Sequence, residues 1–200
     1  MGRIESLNRQ FFLTINAGPG TPPWVIDGAI LIANDLISLI PALLLAIWLW
    51  GDRHQRSVAV RAFLVAMLGV GLNQVIGLLW PHPRPFMIGL GHTWLAHAAD
   101  SSFPSDHLTV FCGIGLSLLL GGAMLLGVGT LIIGLGVAWA RVFLGLHFPL
   151  DMLGAFGVAC LSYLALVPFW WKAGDGLMRL LERMYRMIMR RPIVWGWVRR

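Results

Sequence analysis

No charged side chain interrupts residues 36–50, 63–80 or 108–140. A helix needs roughly 20 predominantly apolar residues to cross about 30 Å of hydrocarbon, and runs of this length approach or exceed that requirement. The composition points the same way, with 58% of residues hydrophobic and 12% charged, far from the balance of a soluble domain. The chain therefore reads as one all-α, polytopic membrane domain over residues 1–200.

Ile4, Leu7, Phe11 and Ile15 recur at helical spacing, so residues 1–20 predict a short amphipathic helix at the membrane surface, closed by the Gly-Pro-Gly-Thr-Pro-Pro break. No charged start followed by a small-residue cleavage site marks a removable signal peptide. Thr21 and Pro22 open a first span over 24–50, and a second covers 58–80. Residues 106–146 carry ionisable groups only near their ends and are about twice the length of a span. They predict two helices joined by a tight turn near Gly127 and Gly129. A fifth span over 149–171 completes a transmembrane core at 24–171. It leads into a basic tail, 172–200, in which Leu177, Leu181, Met184 and Ile188 alternate with Arg179, Arg183, Arg186 and Arg190. The tail is expected on the membrane surface. The bundle thus has five transmembrane helices, or six if the N-terminal segment also crosses. Asp35 falls inside the first span, where a hydrogen bond within the bundle would satisfy it.

Cys112 and Cys160 both lie in predicted spans, which suits neither a disulfide framework nor a paired-cysteine metal site. The net charge of +6 comes largely from an arginine block beside the last span, a pattern that fits anionic lipid headgroups and not nucleic acid. With five spans, Arg53, Arg56 and Arg61 share a side with Lys172 and the seven arginines of the tail. The other side has Arg3, Arg9, Arg84 and Arg141, so the count is eleven against four. By the positive-inside rule the tail is cytoplasmic and the opposite face is outside.

That outer face receives the ends of four spans, and these hold the unusual residues: HPRP at 82–85, FPSDH at 103–107 and ARVFLGLHFPLD at 140–151. Ionisable residues gathered at span ends on one face are a functional site by default. Arg84 and Arg141 offer planar forks of donors suited to phosphate oxygens, although either alone could snorkel to a headgroup. Ser105 precedes an apolar run and could be only an N-cap, with Asp106 favouring the positive helix end. Alternatively, the helix N-terminus presents its amides, and Ser105 its hydroxyl, to a phosphate. His147 and Asp151 are four apart, a spacing at which a carboxylate can fix the tautomer of an imidazole. Such a pair could also bind zinc, but the neighbouring arginines disfavour a cation. His82, His92, His97 and Asp100 occupy a long 81–104 loop that could act as a lid or headgroup reader.

The three strings resemble the signature of the phosphatidic acid phosphatase type 2 superfamily: a lysine, six residues and Arg-Pro; then Pro-Ser-Gly-His; then Ser-Arg, five residues, His, three residues and Asp. Within it, HAADSSFPSDH and HPRPF are similar to the bacitracin-resistance type of undecaprenyl pyrophosphate phosphatase, a likeness that extends from LNRQFF to GWVRR. The resemblance implies His147 as nucleophile, Asp151 as its partner, His107 as general acid, and Arg84, Ser105 and Arg141 as phosphate ligands. Gly77 stands in place of the lysine, Asp106 of a glycine and Ala140 of a serine; His82 is a candidate to replace the lysine's charge. The implied activity is removal of the terminal phosphate of a lipid diphosphate, through phosphohistidine, at the outer face of a bacterial inner membrane, recycling a cell-wall carrier lipid. These residues require no metal or cofactor. Two alternatives remain at this stage: transfer of the phosphoryl group to another lipid, and a lipid or anion transporter. Against the transporter, the charges cluster on one face instead of lining a path near the midplane.

Overall fold

Capping chemistry sets the start of the helix that carries the longest uncharged run before residue 100. Asp52 accepts from the Gln55 amide at 2.8 Å while the Gln55 side chain accepts from the Asp52 amide at 2.8 Å, a reciprocal box that starts a helix of 27 residues. The computed structural model describes residues 2–199, and among them it is helical throughout, with no strand. In chain order the helices are α1 (Arg3–Ile15), α2 (Pro23–Asn34), α3 (Leu39–Trp50), α4 (Arg53–Leu79), α5 (Asp106–Leu120), α6 (Met124–Phe143), α7 (Pro149–Ile188) and α8 (Arg190–Val194).

Four apolar segments are long enough to cross a membrane: Pro23–Trp50, Arg53–Leu79, Met124–Phe143 and Pro149–Ile188. The protein is a multi-pass membrane protein. The expected third span is α5, which has only 15 residues. At 1.5 Å per residue it measures about 22 Å, short of the roughly 30 Å of hydrocarbon. It is also the centre of the bundle, packed on α4, α6 and α7. Its N-terminus meets α4 inside that helix and not at its end, with Asp106 accepting from Asn73 and Gln74.

The turn between α5 and α6 lies at residues 121–123 and not near Gly127 and Gly129 as expected. Gly122 takes a φ of +86°, a left-handed conformation that suits glycine. Gly127 serves packing instead, since a Cβ there would lie 2.5 Å from the Leu119 backbone nitrogen, whereas Gly129 faces open space. Gly134 meets Phe111 of α5 in the same close fashion.

Two other expectations change. The first span is broken at Asp35, whose backbone carbonyl accepts from Ser38; the Asp35 side chain is exposed and makes no hydrogen bond among the described residues. The basic tail is no separate helix, because α7 runs through Pro168 for 40 residues. Gly174, Met178, Glu182 and Tyr185 form a buried stripe on its second half. Arg56 lies over the rings of Trp48 and Tyr185, at 5.7 and 4.7 Å, and with Tyr185 Oη it donates to the carbonyl of Arg199. The tail is therefore docked onto the ends of α3 and α4.

α1 does not make a sixth crossing. It lies across the ends of α6 and α7, with Phe12 fully buried against Phe148 at 5.3 Å and Asn8 accepting from the Leu150 amide at 3.0 Å.

Close packing at Gly127 predicts that Gly127→Ala lowers the thermal stability of the purified protein, by about 1–3 kcal/mol as for other overpacked cores. Gly129→Ala, with open space and better helix propensity, should leave it unchanged or raise it. Thermal unfolding in detergent compares the two.

Candidate active site

His147 sits on the short connection between α6 and α7 and is 3% exposed. Its Nδ1 lies 2.9 Å from the Ser102 carbonyl oxygen and 3.2 Å from Asp151 Oδ2. A carbonyl oxygen can only accept, so Nδ1 carries the proton. Its Nε2 lies 3.0 Å from Arg84 Nη1, and a guanidinium can only donate. The partners thus define a neutral imidazole with its lone pair on Nε2. Burial pushes the His147 pKa below its ordinary value, Asp151 pulls it back through a hydrogen bond and charge, and Arg84 and Arg141 push it down further. A neutral ring with a free Nε2 lone pair is the protonation state a nucleophile needs.

Asp151 owes its position to the start of α7. It is the third residue of the helix, and its Oδ2 reaches back to accept from the Phe148 amide at 2.8 Å, as the acidic half of a capping box does. Oδ2 also accepts from the Ser102 hydroxyl. The carboxylate is 1% exposed.

Arg84 precedes a 3₁₀ turn at Pro85–Ile88 and has four acceptors. Nε donates to Asp100 Oδ1 at 2.8 Å, Nη1 to the Leu146 carbonyl at 3.0 Å and to His147, and Nη2 to the Ser101 carbonyl at 3.3 Å. Burial alone would raise the pKa of Asp100, but the hydrogen bond and charge of Arg84, helped by His97, hold it below the usual carboxylate range. Arg141, from the last turn of α6, is equally buried and far less satisfied. Its Nη2 approaches the ring nitrogens of His107 at 2.8 and 3.1 Å, while Nε and Nη1 have no partner among the described residues. Ser105 occupies the N-cap position of α5 but makes no side-chain cap, and its buried hydroxyl is also unpartnered.

Arg84, His107, Arg141 and His147 line one cavity of about 250 Å³. Asp151 and Ser105 lie behind it, joined by the Ser105 amide donating to the Asp151 carbonyl at 3.3 Å. Asn73, Gln74, Gly77, His97, Asp100 and Asp106 complete much of the wall. Among the described residues no three His, Cys, Asp or Glu side chains are grouped so as to hold a metal. Buried guanidinium donors without acceptors, beside a neutral imidazole, are suited to an anion.

A model described as the PAP2 superfamily matches residues 58–175. The chain belongs to the PAP2 superfamily. It is 39% identical over 196 residues to a protein of Escherichia coli named putative undecaprenyl-diphosphatase YbjG, covering 98% of this chain and 99% of that one. It is 36% identical over 136 residues to undecaprenyl-diphosphatase BcrC of Bacillus subtilis, covering 68% of this chain and 70% of the relative. Among solved structures, LpxE of Aquifex aeolicus shares the fold at 19% identity, with a TM-score of 0.65 over 81% of this chain and 95% of the other.

The three departures from the superfamily pattern have structural correlates. Gly77 lines the cavity where a Cβ would lie 3.1 Å from Ser101 Cβ. His82 does not reach that place: its ring meets Trp80 edge to face at 5.0 Å, off the cavity wall, and His97 lines the cavity instead. Asp106 is held by amides, accepting from Asn73 Nδ2 at 2.8 Å and Gln74 Nε2 at 3.0 Å. Ala140 is fully buried with Ile26, Ala29 and Ala33, a contact between α2 and α6 that a serine hydroxyl would burden. Of the loop residues, His92 is bound on both backbone groups by Asn16 of the N-terminal segment, at 2.7 and 2.9 Å. Sequence reasoning missed Ser102, Asn16 and Asn73. Only Asn73, one of two adjacent amides with Gln74 inside an apolar span, carried a signal.

Asp100 lines the cavity with its carboxylate on Arg84 Nε, and its negative charge opposes an incoming phosphate. Asp100→Asn should therefore tighten competitive inhibition by inorganic phosphate, by up to about five-fold, since an ion pair with one exposed partner is worth at most about 1 kcal/mol. The inhibition constant of phosphate in the two proteins is the measurement.

Proposed function

We propose that this protein hydrolyses undecaprenyl pyrophosphate to undecaprenyl phosphate and inorganic phosphate, with His147 as nucleophile, at the outer face of a bacterial inner membrane. The observation that carries this reading is the pair of buried guanidinium donors without acceptors, Arg141 Nε and Nη1, in a cavity that His147, with its lone pair on Nε2, also lines. The names of the two sequence relatives supply the substrate. The eleven-to-four charge asymmetry supports the orientation.

In the first half-reaction the terminal phosphoryl group enters the cavity and its oxygens take the free N–H groups of Arg141 and the first-turn amides of α5, which have no intrahelical acceptor. Arg84 Nη1 moves its hydrogen bond from Nε2 to a phosphoryl oxygen. The Nε2 lone pair then forms an N–P bond as the P–O bond to the departing undecaprenyl phosphate breaks, in line. The guanidinium groups and helix amides stabilise charge on the transferring group, which is the main requirement for phosphoryl transfer. Asp151 stabilises the cationic ring through Nδ1–H, as an orienting carboxylate does in a catalytic triad. In the second half-reaction water attacks phosphorus, the N–P bond breaks, and phosphate leaves with the neutral imidazole restored. His107, beside Arg141, is the proton donor to the leaving oxygen.

The substrate class is tested by phosphate release from a panel of lipid mono- and diphosphates with the purified protein and a chelator present. Undecaprenyl pyrophosphate should give the highest kcat/KM; phosphate that appears on a second lipid instead of in solution would mark a transferase.

The roles separate in variants. His147→Ala should abolish turnover on every substrate, and Asp151→Asn should lower kcat with little change in KM. A lipid diphosphate expels a phosphate monoester of second pKa about 6, which leaves with little help. A lipid monophosphate expels an alkoxide whose conjugate acid is about as weak as water, at roughly 15.7, and needs a proton during departure. His107→Ala should therefore damage monophosphate hydrolysis much more than diphosphate hydrolysis, while Arg141→Ala damages both alike. Equal losses in His107→Ala with chemistry rate-limiting would remove the general-acid role.

A further inference from the structure

Ser102 lies three residues before Ser105, within the HAADSSFPSDH run but outside the three-part superfamily signature, and is fully buried. Two of its three polar groups, the carbonyl and the hydroxyl, point at the same pair of side chains. The backbone carbonyl accepts from His147 Nδ1 at 2.9 Å, and the hydroxyl donates to Asp151 Oδ2, with His147 Nδ1 3.4 Å from the Ser102 hydroxyl oxygen. The Ser102 amide is anchored in turn on the His82 carbonyl at 2.7 Å. We propose that Ser102 is a positioning residue for the nucleophile: its carbonyl fixes the tautomer of His147, and its hydroxyl restrains the carboxylate that stabilises the reacting ring.

A carboxylate so close to a protonated ring nitrogen can do more than orient it. If Asp151 directed all its charge at Nδ1–H, it would favour the imidazolium and withdraw the Nε2 lone pair as pH falls. Its Oδ2 instead serves three donors: the Phe148 amide, the Ser102 hydroxyl and His147. The hydroxyl shares the charge and leaves Nδ1–H chiefly on an uncharged carbonyl. The other charged or titratable groups facing His147 are Arg84 from the 81–104 loop, Arg141 from α6 and His107 from α5. The two arginines oppose protonation of His147, as does any charge on His107. Asp151 is thus the element that favours it, and Ser102 is the restraint on Asp151. The hydroxyl bonds to none of Arg84, Arg141 or Ser105 among the described residues, so it is separable from phosphate binding.

This assignment rests on His147 being the nucleophile, and the experiment keeps the two apart. Steady-state kinetics on undecaprenyl pyrophosphate are measured across pH for wild type, Ser102→Ala, Ser102→Cys, Asp151→Asn, the Ser102→Ala/Asp151→Asn double variant and His147→Ala. Ser102→Ala should lose roughly ten-fold in kcat, the scale of one lost hydrogen bond to a charged group, with KM unchanged. Its acid limb should move to higher pH, because Asp151 then favours the imidazolium more strongly. Ser102→Cys, close in shape with a weaker donor, should fall between the two and covers the case in which alanine disturbs folding. In the Asp151→Asn background the Ser102→Ala loss should shrink to about two-fold or less, since groups that act through one another are not additive. A wild-type kcat and acid limb in Ser102→Ala would overturn the proposal. So would a lower kcat with an unmoved limb and an additive double variant, which is the pattern of a merely structural hydroxyl. Wild-type turnover in His147→Ala would overturn the reading of the site itself, and the role of Ser102 with it.

Discussion

Two guanidinium groups, 5% and 3% exposed, sit at one end of a bundle made for hydrocarbon surroundings, and the arrangement around them follows from that burden. A buried charge is tolerated when it is paired or fully hydrogen-bonded. Arg84 meets the condition, through two carbonyls, a carboxylate and an imidazole. Arg141 does not. The fold holds one cation in place with its own acceptors and leaves the other with donors to spare, so an anion entering the cavity completes a network that already exists. Asp151, equally buried, bonds to neither arginine: its Oδ2 accepts from an amide, a hydroxyl and an imidazole.

The helices put these groups together by differing in length and closeness. α5 is shorter than its neighbours and begins beside Asn73 and Gln74, inside α4, and glycine contacts at Gly127 and Gly134 bring α6 against it until Arg141 and His107 touch. The floor of the site is therefore rigid helix, while its rim is the 81–104 loop. Asp100, on that rim, is more than half exposed and still reaches the most completely bonded cation in the site.

Much of this was legible in the sequence, and the unread part has physical causes. Uncharged runs reveal helices directly, because the membrane leaves few other ways to fold them. Arg84, Ser105, His107, Arg141, His147 and Asp151 stood out as polar residues at the ends of such runs, and the structure gathers them at one end of the bundle. The turn at 121–123 was misjudged because glycines mark both turns and close contacts, and only the packing of α5 on α6 says which is which. The continuity of α7 was hidden by a change from apolar to amphipathic pattern, which is a change of surroundings and not of backbone. Ser102 was unreadable because its role comes from a loop folding back on a residue 45 positions later, and a serine among serines carries no periodicity.

The N-terminal helix bears on how such a protein can be handled. The stretch matched by the superfamily begins at residue 58, yet Asn8 holds the start of the helix that carries Asp151, and Asn16 grips both backbone groups of His92 and the carbonyl of Phe143. The segment is a strap over the rim, tied at one end to the loop and at the other to the histidine turn. A fusion partner or affinity tag attached at the amino end would pull on that strap directly, whereas one at the carboxyl end meets the site only through the whole depth of the bundle. For anyone building a reporter or an immobilised enzyme from this chain, the two ends are not equivalent handles.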